Sequence, residues 1–208
     1  YALDFATHAY KTHPNLIYGL PFAGILTVFG YRQFCNPATA GSNLILDEIH
    51  NPKKVLPIAM APLVFSATLL THLFGGSAGR EGTAIQIGSS LADLLSKPFR
   101  IAHEDRKILL MAGASAGFSA VLGTPMAGAI FGMEMLYVRG LKFFALGECI
   151  IASFVSYFVS RYLKAPNSEF PTIAIPDLNL KIVGSVFFAA IAFAIAAVAF
   201  IKISHGME

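Results

Sequence analysis

A chain of 208 residues is long enough for one soluble domain or for about seven or eight membrane helices with short connections. Hydrophobic residues make up 55% and charged residues 13%, and the mean hydropathy is +0.64, so the composition points away from a soluble monomer. The net charge of +3 comes from basic residues scattered between apolar runs, which excludes a nucleic-acid-binding stripe; Cys35 and Cys149 stand at no metal or redox spacing, exclude a disulfide scaffold and read as core residues.

The amino end carries Asp4, His8, Lys11 and His13 with no basic stretch leading into an apolar one, so it is no secretory signal. Starting at Tyr1 and stopping at Gly206, Met207 and Glu208 just after an apolar run, the chain is expected to be part of a longer polypeptide. A first span is expected over Asn15 to Tyr31, then a short helix over Gly41 to Ile49, about 14 Å long at 1.5 Å per residue. Val55 to Phe74 is expected to span, turning back at Gly75 to Gly79 into a helix over Glu81 to Ser96, about 24 Å long. The uncharged window between Lys107 and Glu134 is broken at Gly123, Thr124 and Pro125. It therefore divides into Ile108 to Ala120 and Pro125 to Val138, with proline at the first helical position, where its missing N–H costs nothing. Leu141 to Tyr162, with Glu148 inside it, and the run between Lys181 and Lys202 complete the set.

Half-length helices beside full spans are a transporter signature, because non-helical backbone at membrane depth survives only where protein covers it or a watery cavity receives it. The segments His50 to Lys54, Lys97 to Lys107 and Arg139 to Lys142 hold Lys53, Lys54, Lys97, Arg100, Arg106, Lys107, Arg139 and Lys142, and this places them in the cytoplasm.

Gly75 to Gly79 followed by Arg80, Glu81, Gly82, Thr83 and Ala84 is the stretch that carries chemistry. Glycines let backbone amides converge, and the opening turn of a helix offers free N–H groups and a positive dipole end, so the segment is a candidate anion nest. The plain alternative is a glycine turn with an acidic residue at a helix start. Membrane depth weighs against that alternative, since an ionisable Glu inside a bundle is costly and usually functional.

Gly79, Arg80, Glu81 and Gly82, followed by Gln86 and Gly88, resemble the GREGP-x-x-Q-x-G motif of the CLC anion channels and proton-coupled antiporters. Gly113, Ala114, Ser115, Ala116 and Gly117, then Thr124 to Phe131 and Glu134, are similar to that family's GAAAG and NAPLAG-x-x-F-x-x-E segments at the expected distance. The resemblance implies an all-α integral membrane protein with a CLC-type fold of tilted, partly re-entrant helices. Residues 1–177 would be a first inverted repeat and 178–208 the first helix of a second.

By that resemblance Glu81 is the external gating and proton-coupling glutamate, and Ser42, Asn43, Gly79, Arg80, Gly82, Thr83 and Ala84 contribute to the anion site. Arg80 could equally be a salt-bridge partner. Thr83 stands where the motif has proline, and Gly41, Ser42, Asn43, Leu44, Ile45, Leu46, Asp47 and Glu48 replace the family's GSGIP stretch. Both departures resemble the fluoride-exporting branch. Asn43 is favoured over Ser42 as the anion donor, because an amide returns a stronger and more directional hydrogen bond to a small, strongly hydrated anion than a hydroxyl does. The alternative for Asn43 is a helix cap. Met135 stands where the chloride antiporters carry an internal proton-transfer glutamate, so Glu134 is either a displaced relay or a helix-end residue.

The resemblance thus implies a fluoride/proton antiporter gated by Glu81, with a chloride channel or chloride/proton antiporter as the alternative. It would be a homodimer in the lipid bilayer, in a bacterial cell membrane, carrying a small inorganic anion and protons without a cofactor. The family's later motifs, a GxFxP helix start and a coordinating tyrosine, are absent from these residues. For an intramembrane enzyme using Glu81 and a histidine, no nucleophile sits at a matching motif and no H-E-x-x-H pair appears. His8, His13, His50, His103 and His205 read as loop or end residues at no metal-ligand spacing, and His72 as a bundle residue. Gly113 and Gly117 form a G-x-x-x-G pair suited to close helix packing.

Overall fold

Short helices follow one another from the first residues, each ended by a local breaker. In this computed structural model, which describes residues 1–135, 145–165 and 179–206, no strand occurs among the described residues. The chain divides into two units, Tyr1–Ser168 and Glu169–Glu208.

Helix α1, Ala2–Thr12, has no counterpart among the helices that the sequence predicts, and it takes in His8, which the sequence places in a loop or at an end. Pro14 opens a 3-10 turn, Pro14–Gly19, that leads into α2, Leu20–Phe34. The expected span from Asn15 therefore begins as a tight turn rather than as α-helix. A second 3-10 turn, Asn36–Ala40, precedes the short α3, Ser42–His50. The expected span from Val55 is irregular up to Ala59, and its helix α4 is only Met60–Leu73. Fourteen residues rise about 21 Å, short of the roughly 30 Å of hydrocarbon, so this element does not cross alone.

Helix α5, Arg80–Leu94, returns alongside α6, His103–Leu122. Gly123 stops α6 in the left-handed conformation, φ 71°, ψ 22°, its N–H reaching Ser119 O at 2.8 Å. Thr124 then stands at the cap position of α7, Pro125–Glu134, without a side-chain capping bond, and proline lies in its first turn. The expected continuation to Val138, the Arg139 to Lys142 segment and the start of the next helix before Ala145 lie outside the described residues, as does the proposed repeat boundary at 177. Helix α8 is Leu146–Tyr162. By itself, the second unit contains α9, Leu180–Gly206, whose stretch Leu180–Ser204 is long and apolar enough to cross a membrane.

Small residues hold the first unit together. A Cβ added at Gly113 would lie 2.6 Å from both Ala92 Cβ and Gly88 O, and one at Gly117 would run into Ala84 O, so α5 and α6 touch backbone to backbone. The G-x-x-x-G reading is borne out. Between α6 and α8 a serine ladder replaces the glycines: Ser153, Ser156 and Ser160 donate to Ser115 O, Ala116 O and Ala120 O at 3.3, 2.7 and 3.3 Å. The order of these partners shows that α6 and α8 run in the same direction. Ser119 returns a bond to Ser153 O at 2.8 Å. Cys35 and Cys149 are buried in the apolar core, as expected.

Candidate functional site

Two helix openings, those of α5 and α3, carry the candidate site in this unit. Gly75 turns the chain at φ 76°, and Gly79 adopts an extended conformation, φ −65°, ψ 128°, immediately before α5 begins at Arg80. No side chain caps this end. The first intrahelical bond of an α-helix starts from the fourth helical residue, so the N–H groups of Gly79, Arg80, Glu81 and Gly82 are outside the ladder while those of Thr83 and Ala84 are inside it. This narrows the backbone donors anticipated from sequence. Glu81 is exposed, and its carboxylate folds back over the opening turn, with Oε2 3.5 Å from where a Cβ on Gly79 would stand.

The Thr83 hydroxyl is committed elsewhere. It donates to Gly79 O at 3.1 Å and lies 2.8 Å from the Thr68 hydroxyl of α4, so it fastens the opening turn of α5 to its neighbour. Arg80, Thr83, Ala84 and Ile87 share the face of α5 that borders an apolar cavity of about 740 Å³ reaching α8. Among the described residues Arg80 makes no ion pair.

Further along α5, Gln86 Nε2 donates to Ser42 Oγ at 3.3 Å. Gly41, at φ 59°, is the cap position of α3 and offers no side chain; Ser42 and Asn43 are its first two helical residues. Asn43 is therefore not the cap. It is exposed, and its side chain makes no hydrogen bond among the described residues. From Arg80 to Gln86 is six residues, so the α3 opening meets α5 about 9 Å below the start of α5. The two openings are stacked along α5 rather than level.

A buried ion cluster lies at the far ends of these helices. Arg106 Nε and Nη2 donate to Asp93 Oδ1 and Oδ2 at 2.6 and 2.9 Å, Nη1 donates to Glu48 Oε2 at 2.9 Å, and Nη2 donates to Lys54 O at 2.5 Å. Glu48 also accepts the N–H of Lys53 at 2.9 Å, and Asp93 accepts that of Leu56 at 2.6 Å. Sequence reasoning missed this cluster and counted Arg106 as a loop charge. The signal available was Asp93, the one charged residue of α5 beyond its opening Arg80 and Glu81.

Other nominated residues are placed singly. Glu134 is the exposed last residue of α7, and Met135 follows it half-buried. Glu148 is exposed in the first turn of α8. Phe131 stacks on Phe118 with ring centroids 4.6 Å apart. His72 Nδ1 lies 2.9 Å from Thr68 O, within its own helix. Among the described residues no cluster of His, Cys, Asp and Glu is placed to hold a metal.

Half-length helices that present unpaired N-termini inside an apolar bundle define an all-α integral membrane protein of the re-entrant, ion-handling kind. The family model described as "Voltage gated chloride channel" matches residues 23–208, and the chain belongs to this CLC family. It is 42% identical over 204 residues to a chloride/fluoride channel protein of Pseudomonas syringae pv. tomato, covering 98% of this chain and 45% of that one. It is 33% identical over 130 residues to the H(+)/Cl(−) exchange transporter ClcA of Salmonella arizonae, covering 59% of this chain and 27% of that one. The fold matches the crystal structure of a CLC-type fluoride/proton antiporter with a TM-score of 0.86 at 29% identity, covering 93% of this chain and 49% of that one. The chain thus spans about half the length of these relatives or less.

Proposed function

We propose that this chain forms the first half of a fluoride/proton antiporter that exports fluoride and is gated by Glu81. The observation that carries the reading is the exposed Glu81 carboxylate at a helix start whose first four amides lie outside the helical ladder, on the same helix whose Gln86 bonds Ser42 at the opening of α3. A carboxylate and a halide compete for such amides because both are anions and the helix start offers only about half a positive charge. Protonation removes the carboxylate from that competition, so proton and anion occupancy become linked.

Asn43 supplies the fluoride preference, its free amide donors replacing part of the hydration shell that a small anion sheds. Glu134, exposed at the end of α7, is the candidate for handling protons on the opposite side. The division into a first repeat over residues 1–177 and the opening helix of a second over 178–208 belongs to the same reading. So does a homodimer with one pathway per subunit. No cofactor is needed, because the transported ions themselves carry the chemistry.

Similarity to a proton/chloride exchanger favours chloride transport as the second reading. The experiment that separates them uses the full-length polypeptide in liposomes. Fluoride and chloride efflux are measured with ion-selective electrodes under an imposed pH gradient. Uphill fluoride movement driven by protons supports the first reading, uphill chloride movement the second, and movement of neither ion removes both.

A further inference from the structure

Helices α3 and α5 are joined at two levels. At the upper one Gln86 Nε2 donates to Ser42 Oγ at 3.3 Å. At the lower one Arg106 of α6 spans them, donating to Asp93 Oδ1 and Oδ2 at 2.6 and 2.9 Å and to Glu48 Oε2 at 2.9 Å. Ser42 and Glu48 are six residues apart, about 9 Å of helical rise, and Gln86 and Asp93 are seven apart, about 10.5 Å. The two helices therefore run in the same direction with matched spacing between the joints. Neither can slide along the other without breaking one of them.

The joints are unequal. The upper is one neutral hydrogen bond between half-buried side chains. The lower joins Glu48, Asp93 and Arg106, all buried, through charge-assisted bonds that are roughly twice as strong as neutral ones. Within it, the bond to Glu48 is the one on which α3 depends. Helices α5 and α6 already touch backbone to backbone at Gly113 and Gly117, so their packing does not rest on the Asp93 pair alone. Helix α3 has only nine residues, buries the stripe Ile45, Glu48 and Ile49, and starts after Gly41 at φ 59°. The Glu48 carboxylate also accepts the N–H groups of Lys53 and Lys54 at 2.9 and 3.1 Å, so it fixes the chain that leaves α3 as well.

We propose that Glu48 is a positioning residue for anion selectivity: anchored on Arg106, it holds α3 in register with α5 and so fixes where the Ser42 and Asn43 donors stand. The proposal rests on the fluoride/proton antiport reading given above and adds the residue, about 9 Å of helix away, that sets the place of those donors. A small anion is held only by donors that close tightly around it, whereas a larger one tolerates looser coordination, so support of the donors from behind decides between them. A short helix freed at Glu48 pivots as a rod, and the movement appears at its opening. Glu81 titrates on α5 itself, so proton coupling does not depend on this joint.

The test uses the full-length protein in liposomes, with fluoride and chloride efflux compared. Glu48→Gln keeps the shape of the side chain and removes its charge. Its fluoride-to-chloride efflux ratio is expected to fall about two- to tenfold, with the proton-to-anion ratio kept. Ser156→Ala, which weakens the α6–α8 ladder, controls for lost stability alone and is expected to keep the wild-type ratio. Hydrogen exchange reads the geometry directly: in Glu48→Gln the amides of residues 44–50 are expected to exchange faster, and those of 108–120 at the wild-type rate. Glu48→Asp, with the charge on an arm one methylene shorter, is expected to shift the ratio in the same direction by less, and it keeps the test open should Glu48→Gln not fold. A wild-type ratio in the Glu48 variants overturns the proposal, as does unchanged exchange in α3 or an equal change of ratio in Ser156→Ala. Failure of the transport reading looks different, because the wild-type protein would then move neither anion while exchange would still report whether Glu48 holds α3.

Discussion

Arg106 and Asp93 lie side by side in a bidentate pair, Nε to Oδ1 at 2.6 Å and Nη2 to Oδ2 at 2.9 Å, with side chains 3% and 0% exposed. Through Glu48 and the N–H groups of Lys53 and Leu56 this pair ties α3, α5, α6 and the irregular segment before α4 at one point. Both α3 and α5 reach the candidate site with their other ends. The cluster therefore sets how far each helix extends toward it.

Removing one partner from such a cluster leaves buried charge uncompensated, which costs about 3–5 kcal/mol. Arg106→Met in the full-length protein is expected to lower the unfolding midpoint in detergent sharply. Arg106→Lys is expected to recover only part of the loss, because an ammonium cannot make the parallel pair to Asp93 while reaching Glu48 and Lys54 O. Equal stability of Arg106→Met and wild type in a denaturant titration would show that the cluster holds nothing.

Gly113 and Gly24 make a matched comparison of close packing. At Gly113 an added Cβ meets Ala92 Cβ and Gly88 O at 2.6 Å, whereas at Gly24 it meets nothing within 4 Å. Gly113→Ala is expected to destabilise by about 1–3 kcal/mol through overpacking, and Gly24→Ala to be neutral or slightly stabilising. Thermal unfolding monitored by size-exclusion chromatography after heating reads the difference.

Glu81→Gln retains the shape of the side chain and removes its titration. Anion movement is expected to continue while proton coupling is lost, since a neutral amide neither competes as an anion nor carries a proton. Uphill fluoride transport by Glu81→Gln under a pH gradient would remove Glu81 from the gating role. Glu81→Asp, one methylene shorter, is expected to transport slowly and with partial coupling.

Asn43→Ser is expected to shift preference toward chloride by the worth of roughly one hydrogen bond. That is about 0.5–1.5 kcal/mol, or about 2- to 13-fold in relative affinity. Ser42→Ala is expected to change selectivity less, because Ser42, which accepts from Gln86, has a single O–H to donate whereas the Asn43 amide has two N–H donors. Fluoride and chloride efflux ratios for both variants decide the register: a large change at Ser42 with none at Asn43 would move the donor by one residue.

Membrane class, the existence of most helices and the location of the anion-handling turn were legible in residue order, because each depends on local properties. Apolar length identifies a helix at membrane depth, Gly123 and Pro125 stop and start one, and Gly79 to Gly82 expose amides wherever the chain is placed. Helix α1 was not legible, since its amino-acid pattern is weakly apolar and it gains its place from neighbours such as Tyr10 against Gly75. Nor was the short extent of α4, where the same apolar run supplies both helix and irregular chain.

By itself the sequence determined the family, the helical membrane architecture and Glu81 as the ionisable group at the Gly-rich turn. Only the tertiary structure decided which polar groups are free and which are spent. Thr83 bonds Thr68 across two helices, Ser42 receives Gln86 from 44 residues away, and Arg106 reaches Glu48 from 58 residues away. Each is a distance between segments remote in the chain. Hydrogen bonds and ion pairs act over about 3 Å, so no property of a local stretch can indicate which partner lies that close.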